Sequence, residues 1–308
     1  MQTISSRQNP IVRACRELQE TPDPAGARLL LDGAHLVRDA QAAGLAFEMV
    51  AVAASRLAAD TEEGDLARWF DTSGSPVYAV TDMAFAAMSP VRTPSGLVAI
   101  ARRTPTDAAA IYRRPESFVL VAVDVQDPGN LGALIRAAEA GGVIGALVCG
   151  ASAHPYSWKA LRGSMGSALR LPMASVSDAG ACVRDLRAAG LRTVAAVPRD
   201  GRDPDAIDWT GRVALVIGGE GTGLRHDLLG SCDEKVTIPM TPPVESLNVA
   251  GAAAILIYAA RRQRSPVTDA RRVRPPRTEV RGGDRGLRDA RSPIAHGTTS
   301  GSSKGRRT

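Results

Sequence analysis

Phe118-Val-Leu-Val-Ala-Val-Asp124-Val-Gln-Asp-Pro-Gly-Asn130-Leu-Gly132-Ala-Leu-Ile-Arg136-Ala-Ala-Glu139-Ala-Gly141 is the stretch on which the reading of this chain turns. Its first residues form an unbroken apolar, largely β-branched run of the kind found in strands covered on both faces. An Asp-Pro-Gly break follows, and then Leu131, Leu134, Ile135 and Ala138 recur at helical spacing as one apolar stripe. Asn130 is placed to cap that helix, and Arg136 projects from a different face. Strand, short polar loop and amphipathic helix together make the first unit of an α/β fold with a parallel sheet. Taken alone, the segment also reads as an ordinary capped helix with a surface arginine.

The same alternation continues toward the C-terminus. Ile144–Cys149, Thr193–Val197, Val213–Ile217 and Lys235–Ile238 are further short strand-like runs, and helical patterns cover Trp158–Met165, Ala179–Ala189 and Leu247–Arg262. In such sheets ligands sit beyond the carboxyl ends of the strands, so the loops after Asp124, Ile217 and Ile238 are the places to look. Toward the N-terminus, strand-like runs at Arg28–Leu31, Phe47–Ala53, Val77–Val80 and Leu97–Ala101 alternate with helical ones at Ile11–Gln19, His35–Ala43 and Asp65–Phe70. These describe a small α/β domain over residues 1–104. A linker at 105–116 follows, within the proline-broken stretch Arg102–Pro115, and leads to the larger domain over 117–264.

At 308 residues with 44% hydrophobic content the chain has room for two such domains and a tail. No window reaches the roughly 18 uninterrupted apolar residues of a membrane span. Met1-Gln-Thr-Ile-Ser-Ser-Arg7 lacks the layout of a signal peptide, so a cytoplasmic protein without a membrane partner is expected. Cys15, Cys149, Cys182 and Cys232 are scattered without a C-x-x-C pair, which predicts free thiols and no metal site. The net charge of +6 is local: after residue 264 there are 11 Lys and Arg against 4 Asp and Glu, and before it 27 against 28. Rich in Arg, Gly, Pro and Ser, residues 265–308 read as a disordered basic tail, either a solvated extension or a non-specific RNA-binding arm.

Two more segments carry chemistry. Gly218-Gly219-Glu220-Gly221-Thr222-Gly223-Leu224 follows a strand and lets backbone groups approach a ligand, with Glu220 as its acidic side chain. It lacks the Lys-Ser/Thr ending of a phosphate-binding P-loop and the G-x-G-x-x-G spacing of a dinucleotide site. Ile238-Pro-Met240-Thr-Pro-Pro-Val-Glu245-Ser246-Leu-Asn248-Val ends a strand, passes through a stiff Pro-Pro loop and opens a helix of small residues near Ser246, whose hydroxyl is placed to cap it. The run Ala250–Ala254 predicts close helix packing, and a plain core helix would not account for the polar Glu-Ser-x-Asn at its mouth.

Together these segments resemble the three motifs of the SpoU (TrmH) family within the SPOUT methyltransferases. N-x-G-x-x-x-R matches at Asn130, Gly132 and Arg136, and G-x-E-x-x-G at Gly218, Glu220 and Gly223. I-P-M followed by V-E-S-L-N-V matches at Ile238–Met240 and Val244–Val249, and Arg162-Gly-Ser164-Met-Gly166 is similar to the family's R-x-S-x-G segment. Gly219 stands where many members carry Asn. Leu31-Asp-Gly-Ala-His35-Leu-Val-Arg38 and Thr93-Pro-Ser-Gly-Leu-Val-Ala resemble the small ribosomal-protein-like RNA-binding domain that precedes the catalytic domain in many members.

The resemblance implies a SPOUT-type trefoil-knotted parallel sheet, a homodimer, and transfer of a methyl group from S-adenosylmethionine to an RNA ribose 2′-hydroxyl. Large-subunit rRNA is the first choice of substrate and tRNA the second. It places Asn130, Arg136, Glu220, Ser246 and Asn248 around the reacting atoms, and Val197, Gly218, Gly219, Ile238, Met240 and Leu247 on the cofactor. RNA contacts are expected at Arg7, Arg28, His35, Arg38 and Arg162. Because a guanidinium stays protonated, the role expected of Arg136 is to hold the target phosphate and stabilise alkoxide charge, while Asn130 and Glu220 orient the ribose and the loops. Two other readings stay open: a non-catalytic RNA-binding or ribosome-assembly factor on the same fold, and a base-modifying SPOUT enzyme.

Overall fold

The structure is a computed structural model and describes residues 1–115, 117–221 and 223–264. The basic stretch from residue 265, read above as a tail, lies outside the described residues. Two sheets organise the described residues.

The first sheet has the order β1-β4-β3-β5-β2, from β1 (Gln2–Ile4), β2 (Arg28–Asp32), β3 (Ala46–Ala53), β4 (Val77–Val80) and β5 (Leu97–Arg102). β4 runs parallel to β1 and β3, whereas β5 is antiparallel to β2 and β3. Strand periodicity divides its side chains between two faces. Leu30, Met49, Ala51, Val98 and Ile100 pack with Val12, Cys15 and Leu18 of α1 (Pro10–Glu20). Leu29, Leu31, Val50, Val52, Leu97 and Ala99 join the large core, together with Val37 of α2 (Ala34–Ala42) and Phe70 of the helix Glu62–Thr72.

The second sheet is six-stranded and parallel throughout, in the order β11-β9-β10-β6-β7-β8. Its strands are β6 (Phe118–Val123), β7 (Gly145–Cys149), β8 (Met173–Val176), β9 (Arg192–Ala196), β10 (Val213–Gly218) and β11 (Glu234–Val236). Phe118, Leu120 and Ala122 face the large core and Val119, Val121 and Val123 the opposite layer, so the uninterrupted run at 118–123 is a strand covered on both sides. α7 (Pro128–Gly141), α8 (Trp158–Ser164) and α12 (Val249–Arg264) cover one face, and α10 (Ala179–Ala188) covers the other. Of the run Ala250–Ala254 only Ala253 is fully buried, and the closest approach of α12 to α7 is made elsewhere. A Cβ on Gly141 of α7 would meet Ile257 Cγ2 at 1.9 Å, so only glycine lets that side chain seat.

Two cap assignments change. Asp127, not Asn130, caps α7: its Oδ1 accepts from the Asn130 backbone N–H at 2.7 Å, which leaves the Asn130 amide free for other work. Asn248, not Ser246, serves α12, its Oδ1 accepting from the N–H groups of Ala250 and Gly251 at 3.0 and 3.4 Å. The expected linker also carries a helix, α6 (Ala108–Tyr112), whose buried Ile111 fills space that Gly145 leaves on β7. Cys15, Cys149 and Cys182 are buried free thiols. A hydrogen bond with Cys182, together with burial, pushes the Cys149 thiol up and keeps it protonated. Among the described residues no helix is long and apolar enough to cross a membrane.

Candidate active site

β6 has β7 on one side and β10 on the other, so the chain leaves this strand in opposite directions before and after β8. Crevices form at such points, beyond the carboxyl ends of the strands. Here the carboxyl ends of β9, β10 and β11 and the start of α12 enclose a cavity of about 580 Å³. All six residues expected on the cofactor line it: Val197, Gly218, Gly219, Ile238, Met240 and Leu247. Glu220, Ser246 and Asn248 line it too, whereas Asn130 and Arg136 do not.

Glycines build the wall for two different reasons. A Cβ on Gly218 would meet the Gly223 carbonyl carbon at 2.4 Å, and one on Gly219 would meet the Asp124 backbone oxygen at 2.0 Å, so here backbone lies directly on backbone. The second contact explains why this chain has no room for the Asn that many family members carry at that position. Gly221 and Gly223 instead adopt positive φ, +85° and +60°, with open space where a Cβ would stand.

The three motifs meet through their polar side chains. The Asn130 amide Nδ2 donates to Glu220 Oε1, and Asn248 Nδ2 donates to Asn130 Oδ1 at 3.1 Å. Since Asn248 Oδ1 is held by the first turn of α12, this chain of bonds fixes which way both amides face. Residues 90 and 118 positions apart are joined in this way. Glu220 is the only charged side chain on the cavity wall among the described residues.

Arg136 and Arg162 are exposed, and their side chains make no hydrogen bond or ion pair among the described residues. Their helices are tightly apposed: a Cβ on Gly132 of α7 would meet the Ala160 carbonyl at 2.6 Å and Gly163 Cα at 2.9 Å on α8. Further along α7, Arg170 grips Glu139 through two bonds of 2.7 and 2.9 Å, which holds that carboxyl below its usual range.

The basic residues expected on the amino-terminal sheet are differently placed. Arg28 forms a fork with Glu48 at 2.7 and 3.1 Å, Arg102 adds a third bond to the same carboxylate, and Glu48 is held below the usual range. Arg38 pairs with Glu62 at 2.6 Å, His35 lies 3.6 Å from Asp39, and Arg7 donates to the Met83 carbonyl at 3.1 Å. Structure does not gather these four into one free cationic surface. The sequence reading missed Val249, Ala252 and Leu256 as cavity residues. Their spacing of three and four along α12 was the available signal, hidden because every neighbouring position is also small or aliphatic.

Comparison with known proteins agrees with this geometry. Residues 117–258 match the model of the SpoU rRNA Methylase family. An uncharacterized tRNA/rRNA methyltransferase of Synechocystis sp. is 33% identical over 275 residues, which are 85% of this chain and 94% of the relative. The 23S rRNA (guanosine(2553)-2'-O)-methyltransferase RlmP of Bacillus subtilis is 30% identical over 260 residues, 84% of this chain and 98% of its own. The crystal structure of an AdoMet-bound rRNA methyltransferase from Sinorhizobium meliloti superposes with a TM-score of 0.73 at 27% identity, covering 85% of this chain and 97% of that one. A likeness that runs through both sheets, and not the motif-bearing one alone, makes this chain a member of the SpoU methyltransferase family.

Proposed function

We propose that this protein transfers a methyl group from S-adenosylmethionine to a ribose 2′-hydroxyl of RNA, with large-subunit rRNA as the preferred substrate and tRNA as the second. The observation that carries the reading is the Glu220–Asn130–Asn248 chain of hydrogen bonds at the rim of a glycine- and aliphatic-walled cavity, with Arg136 unpaired on the same helix as Asn130. The names of the relatives support the choice of rRNA.

The cavity suits the cofactor on its own terms. Its volume lies within the roughly 300–1,000 Å³ of small-molecule sites. Ile217, Ile238, Leu247 and Leu256 offer apolar surface to a purine and ribose, and exposed backbone at Gly221 and Gly223 offers polar groups. The carboxylate of Glu220 complements a sulfonium cation. When bound, S-adenosylmethionine supplies an activated methyl group.

The protein's own residues then have to place the nucleophile. The planar guanidinium of Arg136 presents only donors, so it holds the phosphate of the target nucleotide and stabilises negative charge developing on the 2′-oxygen. Asn130, clamped between Glu220 and Asn248, is preorganised to fix the ribose. The second carboxylate oxygen of Glu220 has no partner among the described residues and accepts from the ribose hydroxyl. Ser246 sits on the rim beside Leu247, and Arg162 extends the phosphate-binding surface from α8.

The same reading includes a domain division at 1–104, 105–116, 117–264 and 265–308, a trefoil knot at the cofactor loops, a cytoplasmic location and a homodimer. For the homodimer, Ile255 and Tyr258 are 45% and 49% exposed on α12, and Val244 and Leu247 are exposed in the segment just before it, apolar surface that a second copy would cover. The test is transfer from labelled S-adenosylmethionine to total rRNA and tRNA, with the product mapped by ribose-methylation-sensitive cleavage. A labelled ribose that vanishes in Arg136→Ala is the expected result. Cofactor binding without transfer to either pool would overturn the assignment in favour of a non-catalytic RNA-binding factor. Near-full activity in Arg136→Lys would refute the planar fork as the reason for arginine.

A further inference from the structure

Away from the cavity, one side chain ties together three segments of the chain. Arg103, just past β5, donates from Nη1 to the Gly26 carbonyl at 3.1 Å and from Nη2 to Thr106 Oγ1 at 3.0 Å. Its guanidinium lies over the Tyr156 ring, with Cζ 4.1 Å from the centroid, and its backbone N–H donates to the Ala27 carbonyl at 2.9 Å. Gly26 is at φ +63°, and a Cβ there would meet Tyr156 Cδ2 at 2.6 Å, so the turn before β2 is pressed flat against the ring. Tyr156 is 5% exposed. A second tie lies alongside, where His154 Nε2 is 3.4 Å from the Pro24 carbonyl.

This contact has a rigid route to the reaction. Tyr156 stands immediately before Ser157, the N-cap of α8, and α8 packs on α7 with glycine-to-backbone contact at Gly132 and Gly163. α7 carries Asn130 and Arg136, and α8 carries Arg162. An offset at Arg103 therefore becomes an offset between the amino-terminal sheet and the arginines beside the active site. A cation stacked on a buried ring, with two of its N–H groups engaged, is also much more constrained than a surface ion pair.

We propose that Arg103 is a positioning residue that sets which ribose of a bound RNA reaches the methyl-transfer site. It does so by locking the turn at 23–27 against Tyr156, and it never touches the substrate. The proposal rests on the ribose-methyltransferase reading above and extends it to substrate register. Displacement of reacting groups by about 1 Å can cost on the order of 10²-fold in rate, so a small slip is enough to show.

The experiment compares full-length wild type, Arg103→Ala and Arg103→Lys on the RNA that wild type methylates. It records cofactor affinity by calorimetry, kcat and KM for RNA, and the distribution of methylated riboses. Expected for Arg103→Ala are cofactor affinity within about twofold of wild type, a fall of tenfold or more in kcat/KM, and methyl groups spread onto neighbouring riboses. Arg103→Lys keeps the charge and stem but cannot serve Gly26 and Thr106 together, so it gives a smaller spread; it carries the test if the alanine variant does not fold. A merely structural role would lower yield at every position in proportion and leave the distribution unchanged, and that result, or unaltered kcat/KM, overturns the proposal. Wild type that binds cofactor but methylates no RNA would instead overturn the reading on which it rests.

Discussion

Arg136 and Arg28 are both arginines that the sequence offers to a polyanion, and the structure treats them in opposite ways. The Arg136 side chain leaves α7 with no partner among the described residues, six positions along the helix from Asn130, which joins a hydrogen-bonded chain drawn from all three motifs. Arg28 is spent on Glu48 across the amino-terminal sheet, where Arg102 shares the same carboxylate. The difference follows from where each residue sits. Arg136 lies well along α7, where its neighbours one turn away are Gly132, Ala133 and Ala140, and the acidic one, Glu139, is already held by Arg170. Arg28 stands opposite Arg102 in the β2–β5 register, and Glu48, at the bulge of β3 on the far side of β5, takes both guanidinium groups.

The largest effect that can break this contrast belongs to Arg136. Arg136→Ala should lose on the order of 10²- to 10³-fold in methyl transfer, as for other donors to developing oxyanions, with cofactor affinity retained. Single-turnover rates at saturating RNA check this. If Arg136→Ala and Arg28→Ala lost transfer to the same degree, the distinction between a free and a committed arginine would be lost with it.

Next in size is Gly219, where the cavity wall rests on the Asp124 backbone. Gly219→Ala must push two loops apart, at a cost of about 1–3 kcal/mol. Urea denaturation should show that loss, and calorimetry should show weakened cofactor binding because the displaced loop lines the cavity. An alanine variant of unchanged stability would mean that the loop after β6 yields freely, and that Gly219 is not selected by contact with it.

Legibility in the sequence divides along the same line. The runs at 118–123 and 213–218 could be read as buried strands because both faces are covered and every position is apolar. β8 could not: Met173–Val176 is short and has one half exposed, so it lacks both a continuous run and a clean alternation. β1, three residues long at the edge of its sheet, escaped for the same reason. At the site, the residues that the family resemblance assigns to the cofactor lie together on one cavity wall, whereas Asn130 and Arg136 lie off it. Spacing alone misassigns both caps. Asn130 and Asn248 each have a residue nearby that caps equally well on paper, and only the tertiary meeting of Asn130, Glu220 and Asn248 decides which amide is free. The cations of residues 1–104 are a different case. Identity marks an arginine as able to bind phosphate but says nothing about Glu48, Glu62 or the Met83 carbonyl waiting 20, 24 or 76 positions away.

A smaller effect tests the committed side of the comparison. Arg28→Ala should cost at most about 1 kcal/mol of stability, because the Glu48 pair is only partly buried and Arg102 remains to hold the carboxylate. RNA affinity should stay near that of wild type, with little change in its salt dependence, since no phosphate contact is lost. Filter binding across a range of salt is the check. A slope that falls by about one unit would show that Arg28 leaves Glu48 for RNA, and the amino-terminal sheet would then be a cationic surface after all.

The smallest effect concerns the junction that joins the two sheets. His154 Nδ1 accepts from the Tyr156 backbone N–H at 3.3 Å, so the proton of the neutral ring sits on Nε2, facing the Pro24 carbonyl. Burial lowers its pKa below 6.5; the Pro24 carbonyl and Asp23 pull in the opposite direction, and Arg103 assists burial. Tyr156, whose own hydroxyl is pushed up to about 12 by burial, stays neutral throughout. The unfolded chain therefore takes up a proton on His154 before the folded one does. His154's contribution to stability is complete above pH 6.5 and is lost as pH falls through its depressed folded value. Protonation at Nδ1 also removes the acceptor for Tyr156, loosening the ring on which Arg103 stacks. Urea denaturation at pH 7.5 and 5.5 should show wild type losing more stability over that interval than His154→Asn, which keeps an acceptor near Nδ1 but cannot titrate. Equal losses in the two proteins would mean that the junction does not depend on a neutral imidazole, and that its hold on Tyr156 rests on Arg103 alone.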